Sequence, residues 1–141
     1  MSSDSAVSRI KTREAALAFI YQAEYRPEEY LEQLKIFRED PSFDEIVAND
    51  FDYFKEITTG VIDNRQSLDE AFKPFLKNWR LERLPVMDRI VLEIAVYEIR
   101  NMDSIHTSVS INEAVKLAKK YGTDKSSSFI NGVLSSFEKS L

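Results

Sequence analysis

With 141 residues, 43% of them apolar and 30% charged, the chain has the size and balance of one globular domain that buries a core without cross-links. The absence of cysteine excludes disulfide frameworks, thiolate zinc sites, iron–sulfur clusters and cysteine nucleophiles. A formal net charge of -5 argues against nucleic acid if charge is only summed, because phosphate neutralisation supplies most sequence-independent affinity.

The distribution of charge matters more than the sum. Between Glu24 and Glu70, fourteen acidic residues face only Arg26, Lys35, Arg38, Lys55 and Arg65, which leaves the rest of the chain net basic. Two basic groups stand out: Arg9, Lys11 and Arg13 near the start, and Lys116, Lys119, Lys120 and Lys125 near the end. This asymmetry predicts one acidic and one basic face. No apolar run approaches the roughly 18 residues of a membrane span, and the first residues lack a secretory core. A cytoplasmic protein with no membrane partner is expected.

Apolar spacings of three and four recur throughout and period-2 alternation is missing, so the expected fold class is all-α with about seven helices and no strand. The first helix is expected from about Ser8 to Tyr25, with Leu17, Ile20, Tyr21 and Glu24 on one side. Pro27 suits the first position of a second helix marked by Tyr30, Leu31, Leu34 and Phe37, which must stop before Pro41. Three serine-to-glutamate pairs have the spacing of a capping box: Ser42 with Glu45, Ser67 with Glu70, and Ser110 with Glu113. The first of these opens a third helix that buries Val47, Phe51, Phe54, Ile57 or Thr58, and Val61, and tolerates Gly60.

Pro74 predicts a kink or an early stop in the fourth helix. After Pro85 comes a segment from Ile90 to Ile99 with almost no polar face, as in a helix buried on all sides, and it is placed at the centre of the fold. The sixth helix is expected over about Ile111 to Tyr121, with Gly122 at a left-handed C-terminal cap. The seventh turns Phe129, Ile130, Val133, Leu134 and Phe137 inward, with Gly132 allowing a close crossing. No linker, repeat or low-complexity tract divides the chain. One domain over residues 1–141 is expected, with helical subdomains over about 8–78 and 79–139.

Catalytic signatures are missing. Gly60, Gly122 and Gly132 lie in no strand-to-helix phosphate loop. His106 falls in a predicted loop without convergent partners, and Asp52 with Glu56 reads as a solvated acidic face. The chain is therefore expected to be non-enzymatic, with no catalytic residue, metal or cofactor.

From Ser110 the sequence runs Ser-Ile-Asn-Glu-Ala-Val-Lys-Leu-Ala-Lys-Lys-Tyr-Gly, and Phe129 to Leu134 reads Phe-Ile-Asn-Gly-Val-Leu. Upstream, Trp79 to Leu84 and Asp88-Arg89 lead to Ala95-Val96-Tyr97-Glu98-Ile99, and Arg13-Glu14-Ala15-Ala16 leads to Tyr21. These stretches, in order from about Arg9 to Phe137, closely resemble the NusB family. The resemblance implies two three-helix bundles packed around a central buried helix. It also implies antitermination of ribosomal RNA transcription: single-stranded boxA RNA is held together with the ribosomal protein NusE, and the complex joins RNA polymerase. The chain itself is expected to be a monomer or weak homodimer.

The site residues follow from the same resemblance. Arg9, Lys11 and Arg13 fall within the family's arginine-rich run, here interrupted by Ile10 and Thr12. Tyr21 matches a tyrosine near the RNA path, its alternative being a packed amphipathic ring. Lys119, Lys120 and Tyr121 sit where the family presents a lysine and an aromatic ring to RNA, the combination that single-strand binding asks for. Lys125 and Ser126 open the last helix, Lys125 standing where some relatives carry an acid; Phe129 and Asn131 belong to the signature, Phe129 more as core than as contact. Glu82 and Asp88 match acidic positions on the NusE-facing side, Asp88 also suiting the start of a helix dipole. Glu93 replaces an arginine common in relatives. The alternatives are an RNA-binding module like that fused to ribosomal RNA methyltransferases, or a pure protein adaptor working through its acidic face.

Overall fold

The computed structural model describes residues 3–39 and 49–141. The described residues form seven α-helices and short 3-10 turns, with no strand, and none of the helices is long and apolar enough to cross a membrane. The chain divides into two compact units, Met1–Asp63 and Asn64–Leu141. The expected boundary near residue 78 therefore moves to residue 63, because the short fourth helix packs against the helices that follow it.

In the first unit, α1 (Ser3–Ala23) packs against α3 (Phe51–Asp63), and α2 (Tyr30–Glu39) follows a 3-10 turn begun by Pro27. Helical spacing on α1 aligns Ala16, Leu17, Phe19, Ile20 and Ala23 as a buried strip, and Phe19 meets Phe54 edge to face at 5.6 Å. On α3, Ile57 and Thr58 are both buried, since the Thr58 hydroxyl donates to the Phe54 carbonyl at 2.8 Å and so enters the core satisfied. The Tyr30 hydroxyl donates to the Asp63 carboxylate, tying the start of α2 to the end of α3. Partial desolvation and that bond push the phenol up to about 12. The Ser42–Glu45 cap, Val47 and the side chain of Phe37 lie outside the described residues.

The second unit contains α4 (Arg65–Phe72), α5 (Val86–Asn101), α6 (Thr107–Tyr121) and α7 (Ser126–Lys139). Pro74 ends α4 as expected, and the chain continues through 3-10 turns at Lys73–Phe75 and Leu81–Arg83. The central helix of this unit is α5, which packs on α4, α6 and α7 and buries Ile90, Val91, Leu92, Ile94, Ala95 and Val96. Pro85 stands just before it, at the cap position.

Neither remaining capping box forms. Ser67 and Glu70 lie inside α4, which starts at Arg65. The N-cap of α6 is His106, whose Nδ1 accepts from the Ser108 amide at 3.1 Å, so the lone histidine is a helix cap. Ser110 is instead buried one turn inside and donates to Glu98 Oε1 at 2.8 Å. The two glycine expectations also change. Gly122 has φ -98° and ψ -161°, extended and not left-handed, and Gly132 is exposed with open space where a Cβ would stand, so it marks no close crossing.

Burial of Glu93 on α5 is complete. Its Oε2 accepts from Arg89 Nη1 at 2.8 Å and lies 3.6 Å from Arg65 Nε. Its Oε1 and Asp69 Oδ1 both lack a donor unless Glu93 carries a proton to supply one. Desolvation, with the hydrogen bond to Asp69, raises this carboxyl to about 9 despite the two arginines. An unfolded chain releases that proton near pH 4.5, whereas the folded one holds it, so this site costs stability progressively as pH rises from about 5 to about 9. Glu93→Gln, which mimics the protonated group, should match the wild-type melting temperature near pH 5 and exceed it by a margin that grows toward pH 9. Parallel melting curves across that range check this.

Candidate RNA interface

The α6–α7 connection gathers most of the predicted contacts. Lys119 and Lys120 occupy the last turn of α6, where cations are favoured by the helix dipole, and both are exposed. Tyr121 ends the helix with 41% of its surface accessible, and Lys120 Nζ lies 5.4 Å from its ring centroid. A ring held at a helix end beside ammonium groups offers a stacking face next to positive charge. Lys125, also exposed, caps α7 on the far side of the turn.

Two expected surface residues here are buried. Ser126 is 2% exposed and its hydroxyl donates to Asp88 Oδ2 at 3.0 Å. Asp88 is 5% exposed, so neither side chain is presented to RNA or to a protein partner. The physical reason is shared: Asp88, in the first turn of α5, meets the first residue of α7, and each satisfies the other's buried polar group. Burial pushes the Asp88 carboxyl up, and the Ser126 hydrogen bond offsets part of that rise. Glu82, in the 3-10 turn before α5, remains exposed.

The first-helix group is dismantled further. Arg13 is 4% exposed, with its guanidinium 5.5 Å from the Tyr53 ring, so it leaves the set of surface cations. Arg9, one helical turn earlier, lies 4.0 Å over the same ring and forms a two-pronged ion pair with Asp50 at 2.8 and 3.2 Å. Both arginines thus face α3, leaving Lys11 as the exposed cation of the three. Tyr21 is 39% exposed, packs edge to face on Tyr25 at 5.6 Å and accepts a hydrogen bond from the Tyr25 hydroxyl, an arrangement compatible with both the RNA reading and the packed amphipathic ring.

Sequence reasoning passed over Trp79. It is 55% exposed and meets the half-buried Phe129 edge to face at 5.9 Å. Lys125 lies one turn before Phe129 on α7, and Arg80 follows Trp79 in the chain. The available signal was an aromatic residue set between the polar neighbours Asn78 and Arg80.

An all-helical protein whose second unit presents lysines and aromatic rings around one helix–helix turn is the class these observations define. The chain belongs to the NusB family, whose model matches residues 10–139. It is similar to the transcription antitermination protein NusB of Clostridium botulinum (strain Kyoto / Type A2), 40% identical over 139 residues, covering 91% of this chain and 97% of that one. The protein of the same name from Clostridium novyi (strain NT) is 37% identical, covering 94% and 99%. Among solved structures, T. maritima NusB superposes with a TM-score of 0.78 at 34% identity, covering 93% and 90%. The solution structure of NusB from Aquifex aeolicus gives 0.74 at 27% identity, covering 94% and 88%.

The burial of Asp88 has a direct consequence for mutagenesis. Asp88→Arg places a guanidinium in a pocket built for an acceptor and strands the Ser126 hydroxyl, a change of the kind that costs about 3 to 5 kcal/mol of stability. Thermal denaturation should show a large loss; an unchanged midpoint with selective loss of a protein partner would return Asp88 to the surface.

Proposed function

We propose that the chain is a transcription antitermination factor that binds boxA RNA in complex with the ribosomal protein NusE and joins RNA polymerase to support read-through of ribosomal RNA operons. It works in the cytoplasm by binding alone, without catalysis or cofactor, as a monomer or weak homodimer. The observation that carries the RNA part is the α6–α7 turn, where Lys119, Lys120, Tyr121 and Lys125 are all exposed and Lys120 Nζ lies 5.4 Å from the Tyr121 ring. Membership of the NusB family and the names of its relatives support the transcriptional role. Lys11 and Tyr21 are the proposed RNA contacts of the first unit, with Arg9 contributing only if phosphate competes with Asp50. Glu82 is the proposed contact to NusE.

For single strands, log affinity falls with log salt by about 0.7 per neutralised phosphate. Replacing Lys119 and Lys120 by alanine should flatten that slope for boxA RNA, and an unchanged slope would remove them from the interface. Tyr121→Ala should weaken binding about five- to a hundredfold, since a stacked base contributes roughly 1 to 3 kcal/mol. Because the ring is already exposed, the thermal midpoint should stay within a few degrees. Tyr121→Phe should bind almost as the wild type does. A large stability loss with RNA affinity intact would instead place Tyr121 in the core.

A further inference from the structure

We propose that Asp88 and Ser126 are positioning residues that fix the shape of the RNA-facing α6–α7 turn, so that RNA affinity depends on two side chains RNA does not touch. The inference rests on the RNA reading of that turn given above.

A serine hydroxyl has one proton to give and two lone pairs to fill. The carboxylate of Asp88 only accepts, so the Ser126 proton points to Asp88 Oδ2, 3.0 Å away. That leaves the two lone pairs for the turn: the Thr123 amide donates to Ser126 Oγ at 2.9 Å, and the Thr123 hydroxyl lies 3.2 Å from it. The hydroxyl is thereby saturated, and its three bonds run in one direction, from the turn through Ser126 to α5. Because Asp88 sits in the first turn of the most buried helix of the unit, the chain is anchored in the core.

Sterics reinforce this anchor. The Gly122 amide donates to the Ala118 carbonyl at 2.8 Å, so the backbone leaves α6 directly over Ser126. A Cβ at residue 122 would stand 2.5 Å from Ser126 Oγ and 2.7 Å from the Ala118 carbonyl oxygen, both far inside contact distance. Glycine is therefore required by close approach, since its φ of -98° is open to any residue. The pinned atoms are adjacent in sequence to the presented ones: Tyr121 precedes Gly122, and Lys125 precedes Ser126. Loss of the Ser126 hydroxyl leaves all the lysines and the tyrosine in place and removes only what holds them in register.

The experiment is a titration of the full chain with a short single-stranded boxA RNA, combined with amide hydrogen exchange at Thr123. Ser126→Ala should speed exchange of the Thr123 amide and weaken RNA binding about tenfold, as loss of a charge-assisted hydrogen bond would. Asp88→Asn keeps an acceptor for the Ser126 proton and should bind RNA within about twofold of wild type, a rescue that marks the hydrogen bond and not the charge as the working element. Gly122→Ala keeps every polar group and displaces the turn, so it should weaken RNA binding as Ser126→Ala does, and it carries the test if Ser126→Ala fails to fold. Folded Ser126→Ala or Gly122→Ala variants that bind RNA as tightly as wild type would overturn the positioning role and leave the RNA reading intact. Asp88→Asn binding as weakly as Ser126→Ala would overturn it too. Wild-type protein that does not bind this RNA at all removes the RNA reading itself, whatever the exchange rates show.

Discussion

The second unit is organised by three buried carboxyl groups on one helix. Asp88, Glu93 and Glu98 are spaced five residues apart along α5, and each step of five turns the side chain by about 140° around the axis. They therefore point in three different directions, and each finds its partner on a different neighbour. Asp88 meets Ser126 on α7, Glu93 meets Arg65 and Asp69 on α4, and Glu98 meets Ser110 on α6. Apolar packing alone leaves helices free to slide or rotate past one another at small cost, whereas a buried carboxyl without its partner is expensive. Three such contacts set the rotation and height of each surrounding helix against the same central one.

This arrangement reconciles an acidic chain with an anionic ligand. Several of the acids that lower the net charge point inward: Asp88, Glu93 and Glu98 are buried, and Asp50 is consumed by Arg9. At the α6–α7 turn Lys119, Lys120 and Lys125 outnumber the exposed Asp124, while Asp88 is screened behind Ser126. Local potential and not the sum decides where a polyanion lands. The first helix shows the opposite case, since its arginines look like an RNA surface in one dimension and turn out to serve α3 in three.

The helices of the described residues, the stop at Pro74 and the apolar character of α5 were legible in the sequence because they depend on periodicity and backbone chemistry, which are local. The exposed lysines and Tyr121 were legible for a similar reason: a polar cluster at a helix end has nowhere to go but out. Residues whose role depends on a distant partner were misread. Ser110 has the spacing of a cap but is claimed by Glu98 twelve residues away, and Asp88 looks like a surface acid because Ser126 is 38 residues distant. Arg13 was read as a surface cation, although a guanidinium packs readily over an aromatic ring. Glu93 had no sequence rationale, since nothing in its neighbourhood along the chain announces Arg65 and Asp69.

Trp79 is the single tryptophan of the chain, and it stands half out of the surface with its edge against Phe129. Indole emission from the whole molecule therefore originates at one point, in the second unit, beside the aromatic ring that follows Lys125 by one helical turn. Such an indole emits at the long wavelength of a solvated ring, and its brightness responds to whatever covers that face. The protein carries a built-in optical reporter for one end of α7, so occupancy there can be followed in solution without attaching a dye.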